Sequence, residues 1–269
     1  QAIPSWLNEK LRVPRELKKK LKYKGDIFFV QHHMAHAAAS FLVSPFEEAA
    51  VLTVDGVGEW TTTAFGFAKG NDIKLHKHLV FPDSVGLLYS TLTAYLGFSV
   101  NNSEYKVMGL APYGSMDRNK NPYYKKLLKV VDIKDDGSFK MDMRYFVYHY
   151  KASMPSEKLC QLLGGPITRR DAEMTKRHQD IAAALQLVTE DIMTKMLNHL
   201  YKETKCKNVI IGGGVALYSV YNGKILRNTP FKNIWIQPNA TDGGTCVGAA
   251  FYLYNTILGK KRKYVTDTA

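Results

Sequence analysis

The amino-acid sequence predicts an α/β fold, in which helices pack on a mixed β-sheet. The first observation behind this prediction is a β-hairpin pattern, in which residues 61–68 and 73–79 flank the turn residues Lys69-Gly70-Asn71-Asp72. The second is the order of the later segments, where short apolar runs alternate with segments of helical spacing. Hairpins followed by helix–strand alternation are typical of a mixed sheet covered by helices.

The remaining elements follow from apolar runs and helical periodicity. Short apolar runs predict buried strands at residues 26–30, 49–54, 208–211 and 234–236. Helical patterns cover residues 85–96, 178–201, 215–226 and 246–254. The second of these is the clearest, because one apolar stripe recurs at three- and four-residue steps, formed by Ile181, Leu185, Val188, Ile192, Met196 and Leu200. The predicted organisation is a basic lead-in segment at 1–25, a first lobe at 26–114, an insertion at 115–177 and a second lobe at 178–269.

Length and composition limit the classes of protein to which this chain can belong. With 269 residues and 45% hydrophobic residues, the chain can bury the core of one large domain or two lobes. No apolar run is long enough for a membrane-spanning helix. The first residues lack a signal-peptide pattern and an initiator methionine, so we expect further sequence upstream. Three widely spaced cysteines, Cys160, Cys206 and Cys246, argue against a disulfide framework and favour a cytoplasmic protein.

The net charge of +13 is concentrated at the chain ends. Residues 1–25 carry eight Lys/Arg against two Glu, and residues 255–269 carry four against one Asp, so the ends supply nine of the thirteen charges. This distribution favours solvated charge runs over a nucleic-acid interface, and an anion-attracting surface is the alternative interpretation.

The segment Gln31-His32-His33-Met34-Ala35-His36 is the sharpest local signal for chemistry. On a helix, His32 and His36 lie on one face, four residues apart, and their imidazoles can bind one ion. Neutral imidazole suits zinc, iron or manganese better than magnesium. The alternative is that these histidines are polar residues near a helix start. His33 points elsewhere on the same helix, either supporting the ligands from behind or facing a substrate in a catalytic role.

Three glycine-containing segments follow predicted strands. Asp55 is followed by Gly56 and Gly58, and Asp242 precedes Gly243 and Gly244. An acid at a strand end can hold a cation, while the glycines let backbone N–H groups approach an anion. The third segment, 212–215, lacks both the Walker and the Rossmann spacing. Each segment is also compatible with an ordinary tight turn, but together they predict a nucleotide cleft.

Lys106 is unusual because it lies in an apolar segment punctuated by glycine and proline, 104–114. A lysine is rarely buried without a partner, so it is a candidate contact for a phosphate or carbamoyl group. The alternative is a surface lysine whose stem packs on apolar neighbours.

Taken together, these motifs resemble the carbamoyltransferase family that includes nodulation-factor, cephamycin and tobramycin O-carbamoyltransferases. The resemblance follows the family's order along nearly the whole chain. The matching segments are VQHHMAHAAASF, LTVDGVGEW, FPDSVGLLYSTLTAYLGF, EYKVMGLAPYG, LLGGPITRR, RHQDIAAALQ, GGGVALYSVYNGKI and PNATDGGTCVGAAF.

The resemblance implies an actin/hexokinase-like ATPase fold of two lobes and ATP-dependent O-carbamoyl transfer. In this family carbamoyl phosphate and ATP give carbamoyl-adenylate, and the carbamoyl group passes to a hydroxyl of a small molecule or sugar at a bound metal, often iron. The implied ligands are His32, His36, Asp55 and Asp242, with manganese or zinc as other possible ions. The implied nucleotide site consists of Gly56, Gly58, Gly213, Gly214, Val215 and Gly243.

This chain departs from the family's usual pattern in three respects. An N-terminal hairpin with a further active-site histidine and a C-terminal adenylate-forming domain are expected outside these residues, so this polypeptide alone is not expected to complete the chemistry. Tyr218 stands where the family usually has Asn. The alternative functions are carbamoylation of a protein cysteine or tRNA-linked threonylcarbamoyl transfer by a related core, and, in another class, a non-catalytic binding module that uses the basic ends. We expect no nucleic-acid or membrane partner.

Overall fold

The computed structural model of the protein describes residues 10–263. They divide into two compact units, the first ending at Val30 and the second beginning at Gln31. The first unit contains a 3₁₀ turn, Lys10–Arg12, and helix α1, Val13–Leu21. The start of the predicted basic segment, residues 1–9, lies outside the described residues. The predicted strand at 26–30 was wrong: these residues form neither helix nor strand, because an apolar run becomes a strand only beside a hydrogen-bonding neighbour.

The second unit contains seven strands and nine α-helices among its described residues, besides short 3₁₀ and π-helical segments. The strands are β1 Glu48–Gly58, β2 Thr61–Lys69, β3 Asp72–Val80, β4 Val131–Ile133, β5 Phe139–Met141, β6 Asn208–Gly212 and β7 Asn233–Ile236. The helices are α2 His32–Phe41, α3 Val85–Tyr95, α4 Glu104–Leu110, α5 Tyr124–Leu127, α6 Glu157–Leu163, α7 Lys176–Thr204, α8 Ser219–Asn222, α9 Ile225–Asn228 and α10 Asp242–Phe251.

The main sheet has the strand order β3-β2-β1-β6-β7. The first three strands are antiparallel, whereas β6 pairs in parallel with β1 and β7 with β6. This confirms the predicted mixed α/β architecture. Val51 of the predicted first lobe, 26–114, pairs directly with Ile210 of the predicted second lobe, 178–269. Both predicted lobes therefore contribute strands to a single sheet.

Both faces of the central strands are buried, as their nearly continuous apolar sequences indicate. Successive side chains of a strand point to opposite faces. Leu52 and Ile211 belong to the larger core on the side of α3 and α7, whereas Val51 and Ile210 belong to the smaller core on the side of α2. Helix α10 packs closely against α2 on that second side. The sheet is therefore the middle layer between two layers of helices.

The observed helices refine the predicted boundaries. Helix α7 extends the predicted 178–201 at both ends, and the six residues of its predicted apolar stripe are all fully buried. Helix α10 begins four residues earlier than predicted, at Asp242, because the Thr241 side chain caps it by accepting a hydrogen bond from the Gly243 backbone. The predicted single helix over 215–226 is broken: Tyr218 has a non-helical backbone and separates a 3₁₀ turn, Gly214–Leu217, from the short helices α8 and α9.

Residues 115–177, the predicted insertion, contribute apolar side chains to the larger core. Its β4–β5 pair forms a separate two-stranded sheet. Leu127, Phe139 and Phe146 from this segment are almost completely buried in the larger core. A few buried apolar residues therefore anchor this otherwise polar segment in the larger core.

Two further observations bear on the class of protein. None of the helices in the described part of the chain is long and apolar enough to cross a membrane. The three cysteines, Cys160, Cys206 and Cys246, are all free thiols.

Candidate metal centre

The predicted ligands meet at the edge of the sheet where the parallel strands β1 and β6 end. Asp55 lies near the end of β1, and β6 ends at Gly212, directly before the predicted glycine turn. Helices α2 and α10 both begin at this edge, with His32 and Asp242 as their first residues. Crevices beyond the carboxyl ends of strands are the usual ligand sites of α/β sheets. The pair α2 and β1 and the pair β6 and α10 therefore converge on one location from distant parts of the sequence.

His32 and His36 face each other on the first turn of α2. Their ring centroids are 4.6 Å apart, and their Nε2 atoms are separated by 3.0 Å. The His36 side chain is only 1% exposed, whereas that of His32 is 22% exposed. The predicted same-face pair is thus present, with one ring deep and the other nearer to solvent.

Asp55 connects the histidines to the glycine turns. Its Oδ2 atom lies 2.9 Å from His32 Nε2 and 3.0 Å from His36 Nε2. Its Oδ1 atom accepts hydrogen bonds from the backbone N–H groups of Gly56, at 2.7 Å, and Gly214, at 3.2 Å. Because two backbone donors fix one oxygen, the other is held towards the imidazoles.

Asp242 supplies the second carboxylate from the opposite side. Its Oδ1 atom lies 3.4 Å from the Nε2 atom of each histidine, and its side chain is 76% exposed. Its position depends on close contact between α10 and α2 at Gly248, where a Cβ atom would lie 1.9 Å from the carbonyl oxygen of Ala35. Only glycine permits this approach of the two helix backbones.

The arrangement fits a divalent cation better than it fits hydrogen bonds alone. Two Nε2 atoms and Asp55 Oδ2 form a triangle with sides of 2.9–3.0 Å. An N–H group points at one acceptor only, so a neutral imidazole pair cannot satisfy all three sides. One ligand atom from each of His32, His36, Asp55 and Asp242 lies within 4.8 Å of the others. Bonds of about 2.1 Å to one ion would separate neighbouring ligand atoms by about 3.0–3.4 Å at angles of about 90–110°.

Electrostatics of the cluster favour a deprotonated Asp55. Burial alone would raise the pKa of this carboxyl, but the hydrogen bonds from His32 and His36 outweigh burial and hold the pKa well below its usual range. The hydrogen bond with Asp55 is also the main cause of the raised pKa of His32. The negative charges of Asp242 and Glu59 raise the pKa of His32 further. The cluster is therefore an electronegative environment that attracts cations.

Further contacts hold this geometry, two of them made by Ser84 and Gly86, which the sequence analysis did not single out. The ring of His32 rests on Gly58, where a Cβ atom would lie 2.0 Å from its Cδ2 atom. Ser84 donates to the carbonyl oxygens of Asp55 and Gly56, at 3.1 and 2.7 Å. Gly86 approaches the same peptide so closely that a Cβ atom would lie 2.7 Å from its atoms. The serine directly before the predicted helix at 85–96 was the available signal for this contact.

His33 is a buried residue with no free ring nitrogen. Its Nδ1 atom lies 2.7 Å from Thr53 Oγ1, and its Nε2 atom lies 2.9 Å from the carbonyl oxygen of Thr61. The carbonyl can only accept, so Nε2 carries the proton and Nδ1 accepts from the threonine hydroxyl. Burial lowers the pKa of His33 to about 4. These contacts support the alternative in which His33 fixes α2 to the sheet from behind the ligands.

Lys106 is exposed on helix α4. Across residues 10–263, no hydrogen bond or ion pair joins it to the cluster. This position agrees with the surface-lysine alternative, and the geometry gives its predicted contact with a phosphate or carbamoyl group no support.

The predicted nucleotide-binding glycines lie around the cluster, but several of their N–H groups are already engaged. Those of Gly56 and Gly214 hold Asp55, and that of Gly213 donates to the carbonyl oxygen of Ala240 at 3.0 Å. Gly243 lies in the first turn of α10, where its N–H makes a long contact of 3.4 Å with Thr241. Val215 packs against the larger core. A nucleotide contact at these residues stays a prediction.

Tyr218, at the position where the resembled family usually has Asn, turns inward. It is 6% exposed, and its hydroxyl donates to the backbone carbonyl of Gln186 at 3.1 Å. Its ring stacks with Tyr221 at a centroid distance of 6.2 Å. The side chain thus belongs to the core beneath the glycine turn.

Comparison with known proteins shows which proteins this chain resembles. Protein sll1178 of Synechocystis sp. is 44% identical over 271 residues, a match that covers 97% of this chain and 43% of that protein. Nodulation protein NolNO of Sinorhizobium fredii is 33% identical over 231 residues, covering 86% of this chain and 32% of that protein. The chain therefore spans less than half the length of these relatives.

Among solved structures, HypF of T. kodakarensis matches 93% of this chain and 39% of its own, with 16% identity and a TM-score of 0.49. The family model described as "Carbamoyltransferase N-terminus" matches residues 4–251. That match covers nearly the whole chain and includes all four residues of the candidate metal centre. The resemblance predicted from the motifs is thus confirmed, and the chain belongs to the carbamoyltransferase family.

Proposed function

We propose that this chain is the metal- and nucleotide-holding core of an ATP-dependent O-carbamoyltransferase. One observation carries the proposal: two imidazoles and two carboxylates converge on one point at the carboxyl edge of the sheet, in a chain that matches the carbamoyltransferase family. The donor group would be carbamoyl-adenylate made from carbamoyl phosphate and ATP, and the acceptor would be a hydroxyl of a small molecule or sugar.

The chemistry of the donor atoms indicates the class of ion. His32, His36, Asp55 and Asp242 offer imidazole nitrogens and carboxylate oxygens without a thiolate. Such a mixed set suits iron, manganese or zinc, and we place iron first. A bound divalent ion would supply Lewis-acid polarisation of the carbamoyl carbonyl or of the acceptor hydroxyl.

The burial of the ligands indicates the side from which substrates approach. His36 and Asp55 form the closed floor of the cluster, since their side chains are 1% and 14% exposed. His32 and Asp242 form its open side, with exposures of 22% and 76%. The floor residues fix the site, while the open side admits the carbamoyl donor and the acceptor.

The nucleotide would lie against the glycine turns on this open side. A Cβ atom at Gly56 would meet nothing within 4 Å, so the backbone there is free to approach a ligand. Helix α10 begins beside it with Asp242 and Gly243, and a helix N-terminus favours the negative charge of a phosphate. These two features support a phosphate position next to the metal ligands.

This function is tested with the full-length product of the gene. Pyrophosphate release from ATP that depends on carbamoyl phosphate, and transfer of labelled carbamoyl to a panel of hydroxyl acceptors, are the two measurements. His36→Ala should lower transfer at least about 100-fold, because an ion-polarised carbonyl is worth several kcal/mol. His78→Ala is the matched control, since His78 lies exposed on β3. Absence of pyrophosphate release by the wild type, or equal transfer by both variants, would contradict the proposal.

A further inference from the structure

The residues that follow the strand β6 are attached to helix α7 through side chains. This glycine segment, residues 213–224, contains the 3₁₀ turn Gly214–Leu217 and helix α8. Three of its side chains reach polar groups of α7: the Tyr218 hydroxyl lies 3.1 Å from the carbonyl oxygen of Gln186, the Tyr221 hydroxyl lies 2.8 Å from Thr194 Oγ1, and Lys224 Nζ lies 2.6 Å from Glu190 Oε1. Because these partners follow one another at four-residue steps, they form one stripe along α7.

The contact between Lys224 and Glu190 is an ion pair with a buried acid. The side chain of Glu190 is 6% exposed, and that of Lys224 is 32% exposed. Gln186 Nε2 donates a longer hydrogen bond, at 3.3 Å, to the same carboxylate oxygen. Such a pair adds little net stability compared with neutral residues of similar size, but it penalises every arrangement in which the buried acid loses its cation. The pair therefore favours one position of the glycine segment on α7.

The glycine segment connects this ion pair to the candidate metal centre. Near its first residue, the Gly214 N–H donates to Asp55 Oδ1 at 3.2 Å. Backbone hydrogen bonds of 2.7–3.1 Å link the successive turns of the segment as far as Lys224. Asn222 Nδ2 also donates to the carbonyl oxygen of Ala216 at 2.7 Å. Because the segment is bonded internally along its length, a shift at Lys224 displaces Gly214 as well.

We propose that Lys224 and Glu190 are positioning residues for the candidate metal centre. Their ion pair fixes the glycine segment where the Gly214 N–H meets Asp55 Oδ1. With that oxygen fixed, the other oxygen of Asp55 is held towards the two imidazoles. Among the described residues, neither Lys224 nor Glu190 belongs to the group of ligand atoms, so both act through Gly214. The consequence for ion binding rests on the metal site of the proposed function, whereas the position of Gly214 is measurable without an ion.

The next residue of α7, Asp191, offers a matched control. Arg118 Nε donates to Asp191 Oδ1 at 3.1 Å, and the Tyr124 hydroxyl donates to Asp191 Oδ2 at 2.6 Å. These partners belong to residues 115–177 and not to the glycine segment. Arg118→Met and Lys224→Met therefore each remove one cation from a carboxylate of the same helix, but only Lys224→Met changes the attachment of the glycine segment.

The first measurement is amide hydrogen exchange in the metal-freed whole protein, followed by mass spectrometry of peptides that cover residues 212–218. Lys224→Met should speed exchange there roughly tenfold, because local opening of the turn becomes easier. Lys224→Arg keeps the cation and should restore slow exchange, and Arg118→Met should leave exchange in this segment unchanged. The second measurement is Zn²⁺ affinity by titration calorimetry. It should fall roughly tenfold in Lys224→Met, as for other residues that orient a metal ligand, and stay unchanged in Arg118→Met.

A double variant separates positioning from stability. Lys224→Met leaves the buried acid without its cation, which should lower Tm by roughly 5–10 °C. Adding Glu190→Gln removes the unpaired charge and should restore most of that loss. Exchange at residues 212–218 should nevertheless stay fast, because no ion pair then fixes the segment. The double variant also carries the test if Lys224→Met alone does not fold.

Three results would overturn the inference. They are wild-type exchange at residues 212–218 in Lys224→Met, equal acceleration in Arg118→Met, and a double variant that recovers slow exchange together with its Tm. Unchanged Zn²⁺ affinity beside faster exchange would overturn the link to the candidate metal centre. Exchange is measured without an ion and without carbamoyl transfer. A wild type that binds no Zn²⁺ would therefore refute the metal site of the proposed function, and the exchange data would still decide the role of the ion pair.

Discussion

Replacing Gly248 with alanine tests whether the approach of two helices positions the second carboxylate. Gly248 lies on α10, six residues after Asp242, and faces the backbone of α2. A Cβ atom there would lie 1.9 Å from the carbonyl oxygen of Ala35 and 2.8 Å from the nitrogen of Ala39. Both neighbours are main-chain atoms of a buried helix, so neither can rotate away as a side chain would.

The magnitude follows from these distances. Moving the overlap from 1.9 Å to about 3.0 Å requires α10 to shift by at least about 1.1 Å. Overpacking of this kind costs about 1–3 kcal/mol, and the higher helix propensity of alanine returns up to about 1 kcal/mol. A net loss of about 1–2 kcal/mol should lower Tm by roughly 2–8 °C in a protein of this size. The same shift moves Asp242 away from both histidines, which should weaken metal binding at least about tenfold.

Thermal unfolding of the metal-free protein and titration with Zn²⁺ are the two assays. Gly109→Ala is the control, because this glycine lies on helix α4, where an added Cβ atom would meet nothing within 4 Å. The same chemical change should there stabilise the protein by about 0.5–1 kcal/mol and leave ion binding unaltered. If Gly248→Ala matched Gly109→Ala in both assays, the argument that backbone contact places Asp242 would be refuted.

Three further predictions concern other features. The purified wild type should contain a transition metal that His36→Ala lacks, and equal metal content in both would exclude the assigned ligands. Residues 1–25 should not bind single-stranded RNA at physiological salt, and sub-micromolar, steeply salt-dependent binding would contradict this. His178 accepts a hydrogen bond from the Thr175 backbone at the start of α7, and burial lowers its pKa. The contribution of the neutral His178 side chain to the free energy of unfolding should therefore be complete above the unfolded-state pKa of about 6.5, and it should decrease as pH falls below that value. In unfolding experiments, His178→Gln should lose this pH dependence.

The convergence of the four residues of the candidate metal centre could be predicted because the signals for it are local. His32 and His36 are four residues apart, so any helix through them forms the pair. Asp55 and Asp242 each precede a glycine at the end of a strand or the start of a helix. The spacing of the two histidines and the glycine that follows each acid are properties of short segments. Packing between distant segments left these local arrangements as predicted.

The remaining features depend on contacts between distant segments. The apolar run at 26–30 met the local criterion for a strand, but the criterion contains no information about a pairing neighbour. The single sheet that joins strands from 26–114 and 178–269 depends on Val51 pairing with Ile210. The use of His33 depends on Thr61, which is 28 residues away. Likewise, the glycine N–H groups seemed available for an anion until the position of Asp55 was known.

The parallel pairing of β1 with β6 has a consequence for synthesis on the ribosome. Asp55 and Gly214, which bond directly in the folded protein, are 159 residues apart in the chain. The two histidines and Asp55 are translated before β6, so the Gly214 N–H that holds Asp55 reaches this site only after β6 has been inserted next to β1. The nascent chain therefore exposes an incomplete form of the candidate metal centre while the residues between β1 and β6 are made. Contacts of such long range also slow folding, so ions captured before β6 docks would compete with the productive assembly of this sheet.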